Sequence, residues 1–305
     1  PSRTENPPRP DRPTDLGVDG EPPTAPSDPI IIGLMQRIGL VQRAEAQPVP
    51  DKILIDVMVL YTDGVLEFAG GDSEAVLGKI AKAISDANRS YRKSQVQQQL
   101  RLAHFEHTTY QETDDLHKAL SALKDSSNFP ALSGVMETRS NYNADIVVML
   151  TKPVPKNGMC GHASQMTENS SSFCDRAFAV VPVNCATSTH SFAHELGHVM
   201  GADHNIMFDG NGMRIAAVRL FEHSHGFVSP TNRWRTIMAY PTSSCVLPSC
   251  KRIPYWSNPE VSYPPPRAAN QVQPQTVFTG SEAENNARSL NLTRGNVASF
   301  SDACN

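Results

Sequence analysis

Residues 194–204 read His-Glu-Leu-Gly-His-Val-Met-Gly-Ala-Asp-His, and this stretch constrains the chain more than any other. His194 and His198 are one helical turn apart, so both imidazoles leave the same helix face and can share a metal ion. Glu195 stands beside the first of them, where it reaches a water on that ion without taking a coordination position. Gly201 can adopt positive φ, end the helix and turn the chain sharply. That turn lets His204 swing back to the same ion. Three nitrogen donors with a fourth position open describe a catalytic rather than a structural zinc site. An H-E-x-x-H pentapeptide occurs by chance on helices; the glycine and the third histidine at their fixed offsets remove most of that ambiguity. Three imidazoles favour Zn2+ as the ion.

The rest of the chain must supply a rigid support for that helix. Residues 53–61 (ILIDVMVLY) read as a buried strand, rich in aliphatic and β-branched side chains. Residues 72–94 place Val76, Leu77, Ile80, Ala83, Ile84, Ala87 and Tyr91 at helical spacing, with Asp72 or Ser73 as cap. Residues 97–106, 145–150 and 178–183 read as three further strands. Helices are expected over 113–124, with Thr113 as N-cap and Asp114 and Asp115 in the first turn, and over 130–142. Ser188 or Thr189 is expected to cap the helix that carries His194. Strands alternating with long helices imply an α/β fold with a mixed, twisted sheet.

Residues 1–50 differ from everything after them. Eleven of the 24 prolines lie there, and residues 3–29 show almost no apolar periodicity. Such a stretch buries too little surface to offset its ordering entropy. An apolar patch at 30–41 has the pattern of a short amphipathic helix. The segment reads as a linker or as a propeptide lying across a catalytic domain at 51–305, and we favour the propeptide. The chain starts at Pro1 without a charged and apolar leader, as expected of a processed, secreted product.

The net charge of −4 and the lack of a Lys/Arg run give no electrostatic case for nucleic acid. No apolar run approaches the about 20 residues needed to span a bilayer. The chain is expected to act as a monomer on protein or peptide substrates. Six cysteines, all at or after Cys160, fit disulfides in an oxidising compartment. The pairing stays open. A Cys160–Cys185 bridge would clamp the segment entering the active-site helix, and Cys245–Cys250 would close a small loop.

With the His194–His204 motif and Thr236-Ile237-Met238-Ala239-Tyr240 downstream, the sequence resembles the metzincin clan of zinc endopeptidases. Residues 53–71, 100–106, Cys160-Gly161-His162, Ser191-Phe192-Ala193, 235–240, 255–261 and Asn286-Ala287-Arg288 resemble bacterial reprolysin-like enzymes. Peptidyl-Asp metalloendopeptidases are the nearest group. The resemblance implies a cleft between an upper subdomain (51–201) with sheet and long helices and an irregular, disulfide-tied lower subdomain (202–305). One antiparallel edge strand would line that cleft. It implies Met238 as a hydrophobic floor beneath the metal. It also implies Tyr240 near the zinc, ligating it at rest or donating a hydrogen bond during turnover. Cleavage before Asp would suit a basic pocket drawn from Arg233, Arg235, Lys251 and Arg252. Asp19, flanked by glycines, is the candidate for blocking the zinc from the propeptide, as an aspartate does in astacins.

The reading is a secreted zinc endopeptidase with Glu195 as general base. The rivals are a non-catalytic zinc-binding protein, against which the intact Glu195 argues, and a toxin with one host target.

Overall fold

The computed structural model describes residues 52–154, 158–206, 219–247, 249–264 and 276–304. Residues 1–50, with Asp19 and the expected propeptide, lie outside them. A five-stranded sheet organises the chain before Gly201, in the order β2-β1-β3-β5-β4. Its strands are β1 (Ile53–Thr62), β2 (Gln98–Thr108), β3 (Ile146–Thr151), β4 (His162–Ala163) and β5 (Phe178–Pro182). The first three and β5 run parallel, while β4 pairs antiparallel with β5 at the edge, as expected for the cleft-lining strand. The inner strands are buried on both faces, which explains the continuous aliphatic run of β1 and β3.

One face is covered by α2 (Ser73–Lys93), whose Val76, Leu77, Ile80, Ile84 and Tyr91 join the sheet core. Asp72 caps it by accepting from the Glu74 amide. The short α1 (Asp63–Phe68) precedes it. The other face packs α3 (Leu116–Lys124) through Leu116, Leu120 and Leu123 onto Met58, Leu60, Val147 and Val180. Here the cap differs from expectation. Asp115, not Thr113, accepts from the amides of His117 and Lys118, because the Thr113 hydroxyl is engaged in a local turn with Asp115. The helix expected over 130–142 resolves into a 3-10 turn (Pro130–Leu132) and α4 (Val135–Asn141), divided at Gly134.

The helix that carries His194 and His198, α5 (Ser191–Val199), follows β5. Its cap also differs: His190 occupies the N-cap position at φ 57°, with no side-chain cap. The Ser188 and Thr189 hydroxyls turn back to the carbonyls of Asn184 and Cys185 instead. After Gly201 the regular structure is slight among the described residues. It consists of a three-stranded patch, β6 (Val228–Ser229), β7 (Trp234–Arg235) and β8 (Lys251–Arg252); a hairpin of β9 (Ser262–Tyr263) and β10 (Val277–Phe278); and helices α6 (Asn286–Val297) and α7 (Phe300–Ala303). Disulfides join Cys160 to Cys185, Cys245 to Cys250 and Cys174 to Cys304, the last tying the C-terminus to the sheet layer. No helix among the described residues is long and apolar enough to cross a membrane.

Candidate metal centre

His194 and His198 are buried on α5, and the helix stops where His204 must return. Gly201 sits at φ +85°, its amide bonds the His198 carbonyl, and the Ala202 amide bonds the Gly197 carbonyl. This pair of bonds is a Schellman motif, which needs a left-handed residue at the glycine position. It satisfies two terminal carbonyls and reverses the chain within three residues.

The reversal brings the three rings together. His204 Nε2 lies 3.2 Å from His194 Nε2 and 2.9 Å from His198 Nε2. His194 Nδ1 faces the Ile237 carbonyl at 2.9 Å, and His198 Nδ1 faces Gln165 Oε1 at 2.5 Å. Gln165 Nε2 points to the carbonyls of Met166 and Ala202, which orients its oxygen toward His198. Oxygens of this kind only accept, so in His194 and His198 the ring proton sits on Nδ1 and the Nε2 lone pair turns toward His204 Nε2. Lone pairs gathered in this way are available to a cation. A tetrahedral ion with bonds of about 2.0–2.1 Å separates its ligand atoms by roughly 3.3 Å, close to the spacing here. Burial, then the neighbouring imidazoles, holds His194 and His198 well below the ordinary histidine range. Burial and Arg252 lower His204 to about 4. All three are therefore neutral near pH 7, the state a metal ligand requires.

His204 depends on partners far away in sequence. The Asp203 amide and carbonyl are held by the side-chain amide of Asn286 at the start of α6, at 3.0 and 2.8 Å. Asp203 Oδ1 accepts from the His204 amide, and His225 Nδ1 bonds the His204 carbonyl.

Glu195 is buried beside the triad, and burial pushes its carboxyl up to about 8 against the opposing charge of Arg252. Its carboxylate lies against Gly161, where an added Cβ would fall within 2.5 Å of Glu195 Cδ. Only glycine leaves room there, and the Cys160–Cys185 bridge fixes that neighbour. Met238 is fully buried, and its sulfur would lie 2.7 Å from a Cβ at Gly197, so it packs beneath the turn that separates the two helical histidines. The Tyr240 ring lies 4.3 Å from the His204 ring and 5.9 Å from that of His194, with 42% of the residue exposed. Burial, then the charge of Glu195, raises its hydroxyl above the usual range. Asn205 Oδ1 accepts from the Tyr240 amide at 2.8 Å.

Residues 52–257 match the metallo-peptidase family M12. The chain belongs to this family. Among relatives, peptidyl-Asp metalloendopeptidases of Stenotrophomonas maltophilia and Xanthomonas campestris are 31% and 32% identical, aligned over 83% and 81% of this chain and 56% and 51% of theirs. One from Pseudomonas aeruginosa is 31% identical over 75% of this chain and 38% of its own length. The chain thus spans about half the length of the curated relatives it matches, or less. A chain in a solved chaperone–substrate complex superposes with a TM-score of 0.58 at 21% identity, covering 82% of this chain and 35% of that one. That likeness concerns the fold alone.

The four cationic candidates separate in the structure of this family member. Arg235 is buried, with Nε donating to the Ala239 carbonyl and Nη1 to that of Cys250. It braces the segment around Met238 and is not free to meet a substrate carboxylate, contrary to the expectation for it. Arg233 and Lys251 are exposed. Arg252 reaches the centre: Nη1 donates to the Thr189 carbonyl at 2.8 Å, and Nε is buried with no hydrogen-bond partner among the described residues. Its charge is felt by Glu195, Tyr240, His194 and His204. Gln165, His225 and the role of Asn286 escape sequence reasoning, since no local spacing marks them.

Proposed function

We propose that the chain is a secreted zinc-dependent endopeptidase in which His194, His198 and His204 hold Zn2+ and Glu195 is the general base. The observation that carries this is the convergence of three Nε2 atoms, each ring neutral, beside a buried carboxylate. Zinc held there would supply Lewis acidity, bringing the pKa of a bound water toward about 7 and polarising the scissile carbonyl. The positive charge of that ion would hold the neighbouring Glu195 ionised, and Glu195 accepts the proton of the attacking water and passes it to the leaving amine. The Tyr240 hydroxyl, beside the His204 ring, donates to the oxygen that gains charge. The edge strand β4 offers its open side to an extended substrate by strand addition. Met238 holds the floor.

The preference is for an acidic residue after the cleaved bond, with Arg252 as its receptor. Its partnerless buried Nε and its place beside the centre support this, and so does the name borne by the relatives. Three disulfides favour an oxidising destination and hence secretion. Residues 1–50, with Asp19, are proposed to restrain the enzyme as a propeptide.

The deciding experiment maps cleavage sites by mass spectrometry on a denatured protein mixture, with the full chain and with one starting at Pro50, each with and without chelator. Chelator-sensitive cuts before Asp or Glu are expected, faster for the shorter chain. Cuts that ignore the chelator, or none from either chain, overturn the assignment. Chelator-sensitive cuts with no acidic preference remove the role of Arg252 alone.

A further inference from the structure

The contacts that hold the three histidines converge on one dipeptide. A Cβ at Gly197 would lie 2.7 Å from Met238 Sδ and 2.8 Å from Trp256 Cζ3. The indole and the thioether therefore lie side by side under the turn between His194 and His198. Trp256 is fully buried and gripped by the last turns of α2. Its Nε1 donates to Ser90 Oγ at 2.9 Å, its amide donates to Ser94 Oγ at 2.8 Å, and its ring stacks on Tyr91 at 5.5 Å. The position of α2 is thus passed through one rigid ring to α5.

The next residue serves the other ligand. Ser257 Oγ donates to the His225 carbonyl at 2.5 Å and accepts from the Asn286 amide at 2.9 Å, and the Ser257 carbonyl accepts from Ala287. His225 bonds the His204 carbonyl, and Asn286 holds both backbone groups of Asp203. One hydroxyl, fully buried, therefore ties together the two groups that seat the segment around His204. Two residues joined by a peptide bond fix the helix-borne pair on one side and the third ligand on the other.

We infer that Trp256 and Ser257 are positioning residues for the metal centre, together setting the distance between the His194/His198 turn and His204. This rests on the zinc reading above. Neither residue carries one of the three converging nitrogens; each acts through the segments that bear them. Their work is to keep three nitrogens converged; groups bonded directly to ligands change metal affinity by about 10–100-fold when removed, and residues one contact further out should act at the lower end of that range. A merely structural role would lower stability and leave metal release unchanged. Because the two residues share a peptide bond, their effects should be non-additive.

The test loads the full chain with zinc and follows metal release to an excess of a chromogenic chelator. Wild type is compared with Trp256→Phe, Ser257→Ala, Ser257→Thr, the double variant, and Val148→Ala as a control for lost core packing. Val148 is a fully buried aliphatic side chain of β3 and is not among the bonded or stacked partners of the dipeptide named above. Thermal unfolding of each metal-free chain is recorded alongside. Trp256→Phe and Ser257→Ala should each release zinc about 10-fold faster or more, and Ser257→Thr, which keeps the hydroxyl, close to the wild-type rate. Val148→Ala should lose stability with wild-type release. If Trp256→Phe fails to fold, Ser90→Ala removes the indole acceptor, together with a bond to the Ala87 carbonyl within α2, and should still speed release by about 3-fold. Release from the Trp256, Ser257 and Ser90 variants no faster than from Val148→Ala overturns the inference alone. A wild-type chain that holds no zinc overturns both this and the endopeptidase reading.

Discussion

The histidines before and after Gly201 are held by different means. His194 and His198 ride on α5, so their mutual placement follows from helix geometry, and β5 and α2 support that helix through aliphatic packing. His204 belongs to no helix or strand. It is placed by side chain–backbone bonds from Asp203, His225 and Asn286, spread over more than 80 residues of sequence. Burial of apolar area is tolerant of small substitutions, whereas a buried polar group that loses its partner costs about 1–3 kcal/mol. The irregular side should therefore be the more brittle half of the centre, although it contributes one histidine and the helix two.

The largest expected effect lies on the helix and ignores this contrast. Glu195→Ala should reduce kcat by about 10²–10⁴-fold while zinc content, measured by atomic absorption, stays stoichiometric. Retained peptidase activity would dismiss Glu195 as the base.

Next comes Gln165→Leu, which strips the Nδ1 acceptor from His198. Zinc affinity should fall by about 10–100-fold in a chelator competition, with little change in the unfolding midpoint. An equal loss of stability and affinity would blur the contrast between the two halves.

Gly197→Ala probes the join between them. The added methyl meets Met238 and Trp256, so about 1–3 kcal/mol of stability should be lost in denaturant titrations. A neutral result would mean that the floor beneath the helix gives way freely.

Asp145 sharpens the description of the sheet half. It immediately precedes β3, accepts from the amides of Asp56 and Ser301, and is pushed up to about 6 by burial. A carboxyl whose pKa is raised on folding holds more protons folded than unfolded between about pH 4 and 6. Its share of stability is therefore greatest at low pH and is lost as pH rises through about 6. Relative to Asp145→Asn, the wild-type chain should lose about 1–3 kcal/mol over that window. A flat difference would contradict the burial.

The smallest effect falls on specificity. Arg252→Gln should cut kcat/KM for peptides with Asp after the scissile bond by about 10-fold, a ΔΔG‡ of about 1.4 kcal/mol, and leave neutral peptides nearly unchanged. Arg235→Gln should instead lower stability, since its guanidinium meets only carbonyls among its bonded partners.

Much of this was legible in advance because it is local. The strands at 53–61, 145–150 and 178–183 are aliphatic runs that only a sheet buried on both faces accommodates. Asp72 sits where a cap must sit, and α2 shows its apolar stripe plainly. The caps of α3 and α5 differ from expectation for a shared reason. Several hydroxyls and carboxylates crowd each start, and the winner depends on which neighbour has already engaged the others, as Thr189 is engaged with Cys185. The helices α6 and α7 lack a strong periodic stripe, and their place is fixed by Asn286 and by the Cys174–Cys304 bridge.

By itself, then, the sequence marked out the three histidines and the glutamate proposed for the centre, the sharp turn and the sheet strands. Each depends on spacings of a few residues, where backbone geometry leaves one solution. Only the tertiary structure decided which of the four cationic side chains faces the centre, which glutamine orients His198, and that Trp256 and Ser257 stand between the two ligand-bearing segments. Those choices join residues tens to more than a hundred positions apart, and no periodicity in a chain records which of its distant polar groups will meet.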